Sequence, residues 1–249
     1  MLKEERQNFI LSEITSKNKV YSANLSSQLN VSEDTIRRDL KELAEHGYLK
    51  KVHGGALANP VGPRHMKQQF ISHESERLKM IKKCLLLIPH GSVIIIEGAE
   101  SASVLAHQLP SELPITVITN SLPVCTRLLT AYHVDTFFIG GKISMKYQGS
   151  MGTEVVQNLT DIKADLCFMV GSGIHADVGI TVTDREYAIT LRAMMKASTK
   201  TIFMCLSKDV GQMQPFRVAP IDKISTLVTE LEATNDQLIS FREKGVDVL

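Results

Sequence analysis

Apolar positions recur at helical spacing three times within the first 57 residues, and then the pattern changes. Phe9, Ile10 and Ile14 give a first helix an inward face. Leu25 and Leu29, one turn apart within Ala23–Leu29, give a second, shorter one. Ile36, Leu40, Leu43 and Ala44 follow at i, i+4, i+7 and i+8, the stripe of a third helix running to about Glu45. Ser32 is placed to cap that helix, with Glu33 and Asp34 in its first turn, where the helix dipole favours acids. His46-Gly47 is its stop signal, and Asn30-Val31 is left as the tight connection to the helix before. Residues 48–56 then read as a small hairpin, or wing, with Gly54-Gly55 at its tip.

Ala58-Asn59-Pro60-Val61-Gly62-Pro63-Arg64-His65 has the proline and glycine content of a linker. Residues 67 to 88 predict a long helix ending at Pro89-His90-Gly91, with Lys82 and Lys83 on a solvated face. From Ser92 onward, strand-length apolar runs alternate with helical patterns. This predicts βαβ units stacked around a mostly parallel sheet. Strands are expected at 92–97, 115–119, 134–139, 165–171, 201–206 and 224–229, and helices near 101–109, 121–131, 153–160, 184–197 and 233–243. The expected plan is a helical head over 1–57, a linker over 58–72 and an α/β domain over 73–249, with no internal repeat.

A short helix, a brief turn and a longer helix with arginines near its start is the arrangement that enters a DNA major groove. The expected reading residues are Ser32, Thr35, Arg37, Arg38 and Lys41, with Lys50, Lys51 and His53 of the wing on flanking phosphates of a double-stranded operator. Charge alone does not demand this. The first 57 residues hold nine Lys/Arg against eight Asp/Glu, and a plain helical packing module with a solvated charged face would look the same. A bulk electrostatic footprint is missing, so affinity has to come from a few placed contacts and from pairing of heads into a homodimer or homotetramer.

In the second domain the residues just after each strand are small and polar. They are Glu97-Gly98-Ala99-Glu100-Ser101, Thr119-Asn120-Ser121, Gly140-Gly141-Lys142, Gly171-Ser172-Gly173 and Ser207-Lys208. Ligands of open α/β sheets bind beyond the carboxyl ends of the strands, where backbone amides and helix N-termini can approach an anion. Singly, such a glycine is a turn requirement, Thr119-Asn120 a helix cap and Lys208 a surface lysine. Five sites on one edge instead predict a small-molecule pocket. The histidines are unclustered, and Cys84, Cys125, Cys167 and Cys205 lie far apart in apolar segments without metal spacing. Reduced buried thiols, no metal and no cofactor are expected. The longest apolar run, Val93-Ile94-Ile95-Ile96, is strand-sized, and the N-terminus opens on a charged amphipathic helix, so no membrane partner and a cytoplasmic location are expected.

Thr35-Ile36-Arg37-Arg38-Asp39-Leu40, followed at matching spacing by Gly47-Tyr48-Leu49 and His53-Gly54-Gly55-Ala56, closely resembles the N-terminal winged helix of DeoR-family bacterial transcriptional regulators. The likeness continues at lower density through Thr119-Asn120, Gly140-Gly141, Gly149, Gly179-Ile180-Thr181 and Ser207-Lys208, positions similar to those of the DeoR-type sensor domain. It implies a fold similar to ribose-5-phosphate isomerase and a phosphorylated sugar or sugar-like effector. It further implies that the chain regulates carbohydrate genes, as a repressor by the family's usual habit. On that resemblance Lys208 supplies a point charge to a phosphate or acidic hydroxyl, while Asn120 and the Gly140-Gly141 amides orient hydroxyls or the phosphate. Glu97, Glu100, Ser101 and Thr119 complete the expected effector set.

Two departures alter that picture. Where the family commonly has Asp and, two residues on, Gly-Thr-Thr, this chain has Glu97 and Ala99-Glu100-Ser101. Glu100 puts a negative charge where a phosphate is expected, which adds a neutral sugar, an amino sugar or a cationic ligand as alternatives to the expected sugar phosphate. Before Ser207-Lys208, where an Asp is common, stands Cys205-Leu206. Two function classes remain: a DNA-binding regulator without catalytic residues, and a sugar-phosphate isomerase or deaminase carrying a regulatory head. The enzyme needs a tuned general base, for which Glu97 and Glu100 are the candidates, with Asp184 more simply a helix cap. No acid–base pair has convincing spacing, so the regulator is the expectation.

Overall fold

The structure, a computed structural model, describes residues 3–45, 48–58, 73–98 and 100–249. The His46-Gly47 stop signal, most of the expected linker and the expected helical residues 67–72 lie outside them, as does Ala99. Contacts divide the chain into two compact units, Met1–Glu74 and Ser75–Leu249.

The first unit contains α1 (Lys3–Lys17), β1 (Lys19–Tyr21), α2 (Ser22–Leu29), α3 (Glu33–Glu45), β2 (Leu49–Val52) and β3 (Gly55–Ala58). The predicted apolar stripes meet: Ile10, Ile14, Leu25, Ile36 and Leu40 are all essentially inaccessible to solvent. Each such side chain contributes roughly 1.5–3 kcal/mol of burial. Asn30, in left-handed conformation (φ 50°), turns the chain between α2 and α3. The turn is tied by Val31 N–H donating to the Ser26 carbonyl and the Ser26 hydroxyl donating to the Val31 carbonyl.

The wing differs from expectation in two ways. Its turn is His53-Gly54, with Gly54 at φ 78°, whereas Gly55 is already in β3 and faces Tyr21 of β1, a strand not anticipated. The sheet is therefore three-stranded, in order β1-β3-β2. Ala58, expected to open the linker, is the last residue of β3.

The second unit opens with α4 (Glu74–Leu85), shorter than expected at both described ends. Lys83 on it is half-buried and donates to the Leu231 carbonyl, so it does not lie on a purely solvated face. Seven parallel strands follow: β4 (Val93–Ile96), β5 (Ile115–Thr119), β6 (Val134–Phe138), β9 (Ala164–Val170), β12 (Ser198–Met204), β14 (Thr226–Val228) and β15 (Asp247–Val248). They lie in the order β15-β14-β12-β9-β4-β5-β6. Helices α5 (Glu100–His107), α6 (Leu122–Leu128), α7 (Thr153–Thr160), α8 (Arg185–Lys196) and α9 (Ile239–Glu243) accompany them.

Alternate residues of each strand enter different cores. Ile94, Ile96, Leu166 and Phe168 pack on one face, and Ile95, Cys167, Met169 and Phe203 on the other. A sheet covered on both faces explains why its strands read as unbroken apolar runs. The chain runs outward from β4 through β5 to β6, then returns across β4 to β9, so strand order reverses between β4 and β9. In open α/β sheets the carboxyl ends of the strands at such a reversal are where ligands bind.

Short antiparallel pieces were not anticipated. They are the hairpin β7 (Lys142–Ser144) with β8 (Gly149–Met151), and the sheet β10 (Gly173–His175), β11 (Gly179–Val182) and β13 (Phe216–Ala219). The helix expected over 233–243 is interrupted: Asn235 caps the Gln237 amide, a short 3-10 turn covers Asp236–Leu238, and α9 holds only the remainder. Cys84, Cys167 and Cys205 are buried free thiols and Cys125 is half-buried.

Candidate functional site

In the first unit, α3 turns Ile36, Leu40 and Leu43 inward, which leaves Arg37, Arg38 and Lys41 exposed on the opposite side, with Thr35 half-buried. Ser32 caps the helix: its hydroxyl accepts from the Thr35 amide at 3.2 Å and contacts the Thr35 hydroxyl at 2.9 Å. Arg37 is engaged by acids of its own helix, Glu33 and Asp34, each at 3.3 Å. Lys41 lies 3.8 Å from Glu45. Arg38 is exposed and has no ion-pair or hydrogen-bond partner among the described residues. Lys50, Lys51 and His53 are exposed on the wing.

Asp39, unremarked in the sequence beyond its charge, is buried and receives two hydrogen bonds from Arg6 of α1, Nε to Oδ2 at 2.5 Å and Nη2 to Oδ1 at 3.2 Å. The Asp39 bond raises the Arg6 pKa.

In the second unit the expected residues gather along the carboxyl edge of the sheet. Glu97 follows β4 directly at the strand-order reversal and is 3% exposed. Its Oε1 accepts from the Tyr187 hydroxyl of α8 at 2.7 Å, while its Oε2 is buried with no hydrogen-bond partner among the described residues. Burial pushes its pKa up to about 7, against the pull of the Tyr187 hydroxyl and the Val170 amide. Tyr187 in turn stacks on Tyr147, ring centroids 4.0 Å apart, and the Tyr147 hydroxyl is also buried and unpartnered.

Glu100 opens α5, where its Oε2 meets Arg77 Nη2 of α4 at 2.7 Å and its Oε1 is buried without a partner among the described residues. Burial raises its pKa, opposed by the charges of Arg77 and Lys208. The negative charge anticipated at this turn is thus countered from within the protein. Ser101 is buried beside it on α5.

Asn120, one strand over, donates from Nδ2 to the Ser150 carbonyl at 2.8 Å, and its Oδ1 is buried and unpartnered among the described residues. Gly149 is required there, since a Cβ on it would come within 2.6 Å of the Asn120 carbonyl oxygen. Thr119 is buried: its hydroxyl donates to the Ile96 carbonyl at 2.7 Å, which ties β5 to β4, and accepts from the Ser121 amide at 3.0 Å in the turn that follows.

Gly140 and Gly141 are exposed beyond β6, with the Glu154 carboxylate beside Gly141, which suits a hydroxyl there better than a phosphate. Lys208 is 57% exposed in the turn after β12, its Nζ 3.9 Å from Asp209. The preceding Ser207 is held through its amide and hydroxyl by Glu230. Asp184 caps α8, as expected, accepting from the Tyr187 amide at 3.0 Å.

Sequence reasoning missed Arg77, Tyr147 and Tyr187. A buried arginine inside the charged run Glu74–Lys83 carries no local signature, and a tyrosine three residues past a cap is directed inward only by the packing of α8. Buried polar atoms in proteins are nearly always paired. Glu97 Oε2, Glu100 Oε1, Asn120 Oδ1 and the Tyr147 hydroxyl are thus exceptions, buried without a hydrogen-bond partner among the described residues.

The described residues thus form a helix-turn-helix head with a three-stranded wing and an α/β unit that gathers polar side chains at its strand-order reversal, the two parts of a regulator with a sensing domain. Residues 6–60 match the DeoR-like helix-turn-helix domain and residues 72–231 the DeoR C terminal sensor domain. The chain belongs to the DeoR family of transcriptional regulators. It is similar to the HTH-type transcriptional regulator GolR of Listeria innocua, 28% identical over 98% of this chain and 97% of that one. It is also similar to the HTH-type transcriptional repressor GlcR of Bacillus subtilis, 26% identical over 92% and 89%. The L-fucose operon activator of Escherichia coli is 24% identical over 96% and 100%. Among solved structures, ribose 5-phosphate isomerase A of Methanocaldococcus jannaschii aligns with a TM-score of 0.41 and 13% identity over 55% of each chain. Among the described residues no helix is long and apolar enough to cross a membrane.

Proposed function

We propose that this regulator acts in the cytoplasm on genes of carbohydrate use, and that a sugar-derived metabolite bound at the carboxyl edge of its sheet changes its affinity for an operator. In this reading residues 1–57 form the DNA head, 58–72 the linker and 73–249 the effector domain. Arg38 and Thr35 meet base edges or phosphates in the major groove, with Lys41, Lys50, Lys51 and His53 on flanking phosphates. Arg37, already shared with Glu33 and Asp34, contributes less. Two heads read two half-sites, so a homodimer or larger assembly is the active form. The sugar-related names of relatives such as the L-fucose operon activator support the class of effector.

The observation that carries the effector reading is the set of buried, unpartnered acceptors, Glu97 Oε2, Glu100 Oε1 and Asn120 Oδ1. A ligand that donates hydrogen bonds through several hydroxyls, or through an ammonium, satisfies all three. The exposed ammonium of Lys208 at the mouth suits a phosphate carried on the far end of the same ligand. The test is thermal shift of the full chain against phosphorylated sugars, their unphosphorylated forms and amino sugars. A rise with one class identifies the effector chemistry, and no rise with any of them sinks the reading.

One observation favours a second reading, turnover of the bound sugar: a carboxyl of pKa about 7 hydrogen-bonded to a tyrosine is suited to moving a proton. The regulator reading expects binding without turnover. An isomerisation assay on the same panel decides it, since turnover abolished by Glu97→Gln would establish the enzyme.

A further inference from the structure

We propose that the effector site holds a subsite for an ammonium group, seated between Glu97 and Asn120, so that the effector is an aminated sugar and not a purely hydroxylic one. The inference rests on the effector reading above and narrows it. β4 and β5 run parallel in register, Ile94 beside Val117 and Ile95 beside Ile118, which two residues further sets Glu97 beside Asn120. Two hydrogen bonds bracket the pair. The Thr119 hydroxyl donates to the Ile96 carbonyl at 2.7 Å, and the Ser121 hydroxyl to the Gly98 carbonyl at 2.7 Å. Glu97 and Asn120 therefore stand level on neighbouring strands, about 4.8 Å apart. Both follow the alternation of Ile95 and Ile118, which puts them on the sheet face that α8 covers.

On that face the atoms left over are acceptors. Glu97 and Asn120 are 3% and 4% exposed. Glu97 Oε1 is used by the Tyr187 hydroxyl and Asn120 Nδ2 by the Ser150 carbonyl. This leaves Glu97 Oε2 and Asn120 Oδ1 buried without a partner among the described residues. Tyr147, stacked on Tyr187, brings its own buried hydroxyl, likewise without a partner among them. A ligand hydroxyl donates one hydrogen and so meets one such acceptor, whereas an ammonium carries three donors on a single atom.

Charge argues in the same direction. The groups facing Glu97 are the Tyr187 hydroxyl, the Val170 amide and the Cys167 thiol, all neutral, and among the described residues no cation forms an ion pair with it. Lys146 approaches the same face, but it is exposed and rests over the Tyr147 ring, 4.7 Å from the centroid, with its Nζ 3.4 Å from the Thr183 hydroxyl. A carboxylate buried in this way is costly until a cation joins it. Glu100, by contrast, already has Arg77, on helices packed against the opposite face of the sheet, and calls for no cation from outside.

The test takes the full chain at neutral pH and matched sugar pairs: glucosamine and glucose, galactosamine and galactose, mannosamine and mannose, each with and without a 6-phosphate. The N-acetylated amines serve as uncharged controls. Thermal shift finds the pairs that bind and calorimetry gives their affinities. At least one amine should bind about tenfold or more tighter than its hydroxyl partner, and its N-acetyl form should lose that advantage. Glu97→Gln keeps an acceptor and removes the charge, so the amine should weaken by about tenfold or more while its hydroxyl partner changes little. Tyr147→Phe removes one hydroxyl and no charge, and should weaken the amine by about threefold or more, an independent reading should Glu97→Gln fail to fold. A hydroxyl or N-acetyl member that binds as well as its amine in every pair that binds overturns the ammonium subsite and leaves the carbohydrate reading standing. An amine preference that survives Glu97→Gln overturns the seat assigned to it. No binding by any member overturns both the subsite and the reading it rests on.

Discussion

Arg6 and Asp39 form a two-pronged ion pair that pins the inner side of α3 to α1, directly beneath the arginines that α3 turns outward. Asp39 follows Arg37 and Arg38 without a gap, yet helical geometry places it on the buried face while Arg38 faces solvent. The same six residues, Thr35 to Leu40, therefore hold both the side chains proposed to read DNA and the ion pair that ties α3 to α1.

Removing one partner of such a pair strands the other charge in a place with little water. Asp39→Asn should cost the head about 3 kcal/mol. Its melting transition in the full chain, followed by circular dichroism, should move down and operator binding should fall with it. Arg6→Met combined with Asp39→Leu should recover most of the loss, because the pair then becomes an apolar contact. An unchanged transition in Asp39→Asn would show that α1 is held by its leucine and isoleucine contacts alone.

Arg38→Ala should behave in the opposite manner, leaving the melt untouched and lowering operator affinity by roughly 1–3 kcal/mol, about tenfold or more. Arg37→Ala should do less, since its guanidinium is already shared by two acids in exposed pairs worth little for stability. Lys51→Ala should weaken binding to all sequences alike and reduce its salt dependence by about one phosphate. Gel shifts at two salt concentrations separate the three, and equal losses for Arg37→Ala and Arg38→Ala would displace Arg38 from its assigned place.

The adjacent glycines of the wing separate in the same way. Gly54 turns at φ 78° with open space around its Cα, so Gly54→Asn, a residue that tolerates this backbone, should be nearly neutral. Gly55 has an ordinary φ, but a Cβ there would stand 2.0 Å from the Val20 carbonyl oxygen. Gly55→Ala should force β1 away from β3 and lower the head's melting transition by several degrees. A wing that tolerates alanine at 55 and not asparagine at 54 would reverse the assignment of turn and strand.

Much of the architecture was legible because both units are built from strongly periodic elements. The Ile36/Leu40/Leu43 stripe and the Val93-Ile94-Ile95-Ile96 run each admit one reading, and six of the seven strands of the parallel sheet fall within a few residues of expectation, while the two-residue β15 was not anticipated. Three- and four-residue antiparallel strands escaped, since Gly173-Ile174-His175 or Gly149-Ser150-Met151 is too short for a period and is held by partners distant in sequence. At the candidate site the backbone positions after each strand were legible and their side-chain roles were not. Thr119 looked available until its hydroxyl proved bound at both ends, and Glu100 looked like an uncompensated charge until Arg77 arrived from a helix 23 residues earlier. Residue type announces what chemistry is present, but hydrogen-bond partners decide what remains free for a ligand.

Glu97 gives that distinction a measurable form. Its ordinary carboxyl value is 4.5, and burial raises it to about 7 in the fold. The folded chain thus holds this proton more tightly than the unfolded chain. The resulting contribution to stability is fully present below about pH 4.5 and is lost as pH rises through 7. A shift of that size corresponds to about 3 kcal/mol. Glu97→Gln keeps an oxygen for the Tyr187 hydroxyl and carries no titrating group, so its melting temperature should coincide with wild type near pH 5 and exceed it increasingly toward pH 8. Melts of the effector unit of both proteins at unit pH intervals check this, and parallel curves would mean that Glu97 is solvated and charged throughout. Because the unpartnered Oε2 is the atom a donating ligand would meet, the same substitution should also abolish or greatly weaken the effector-induced shift at pH 8, where wild-type Glu97 is ionised. Such a variant would be more stable without ligand and deaf to it, as expected of a carboxylate retained for binding at a cost to the fold.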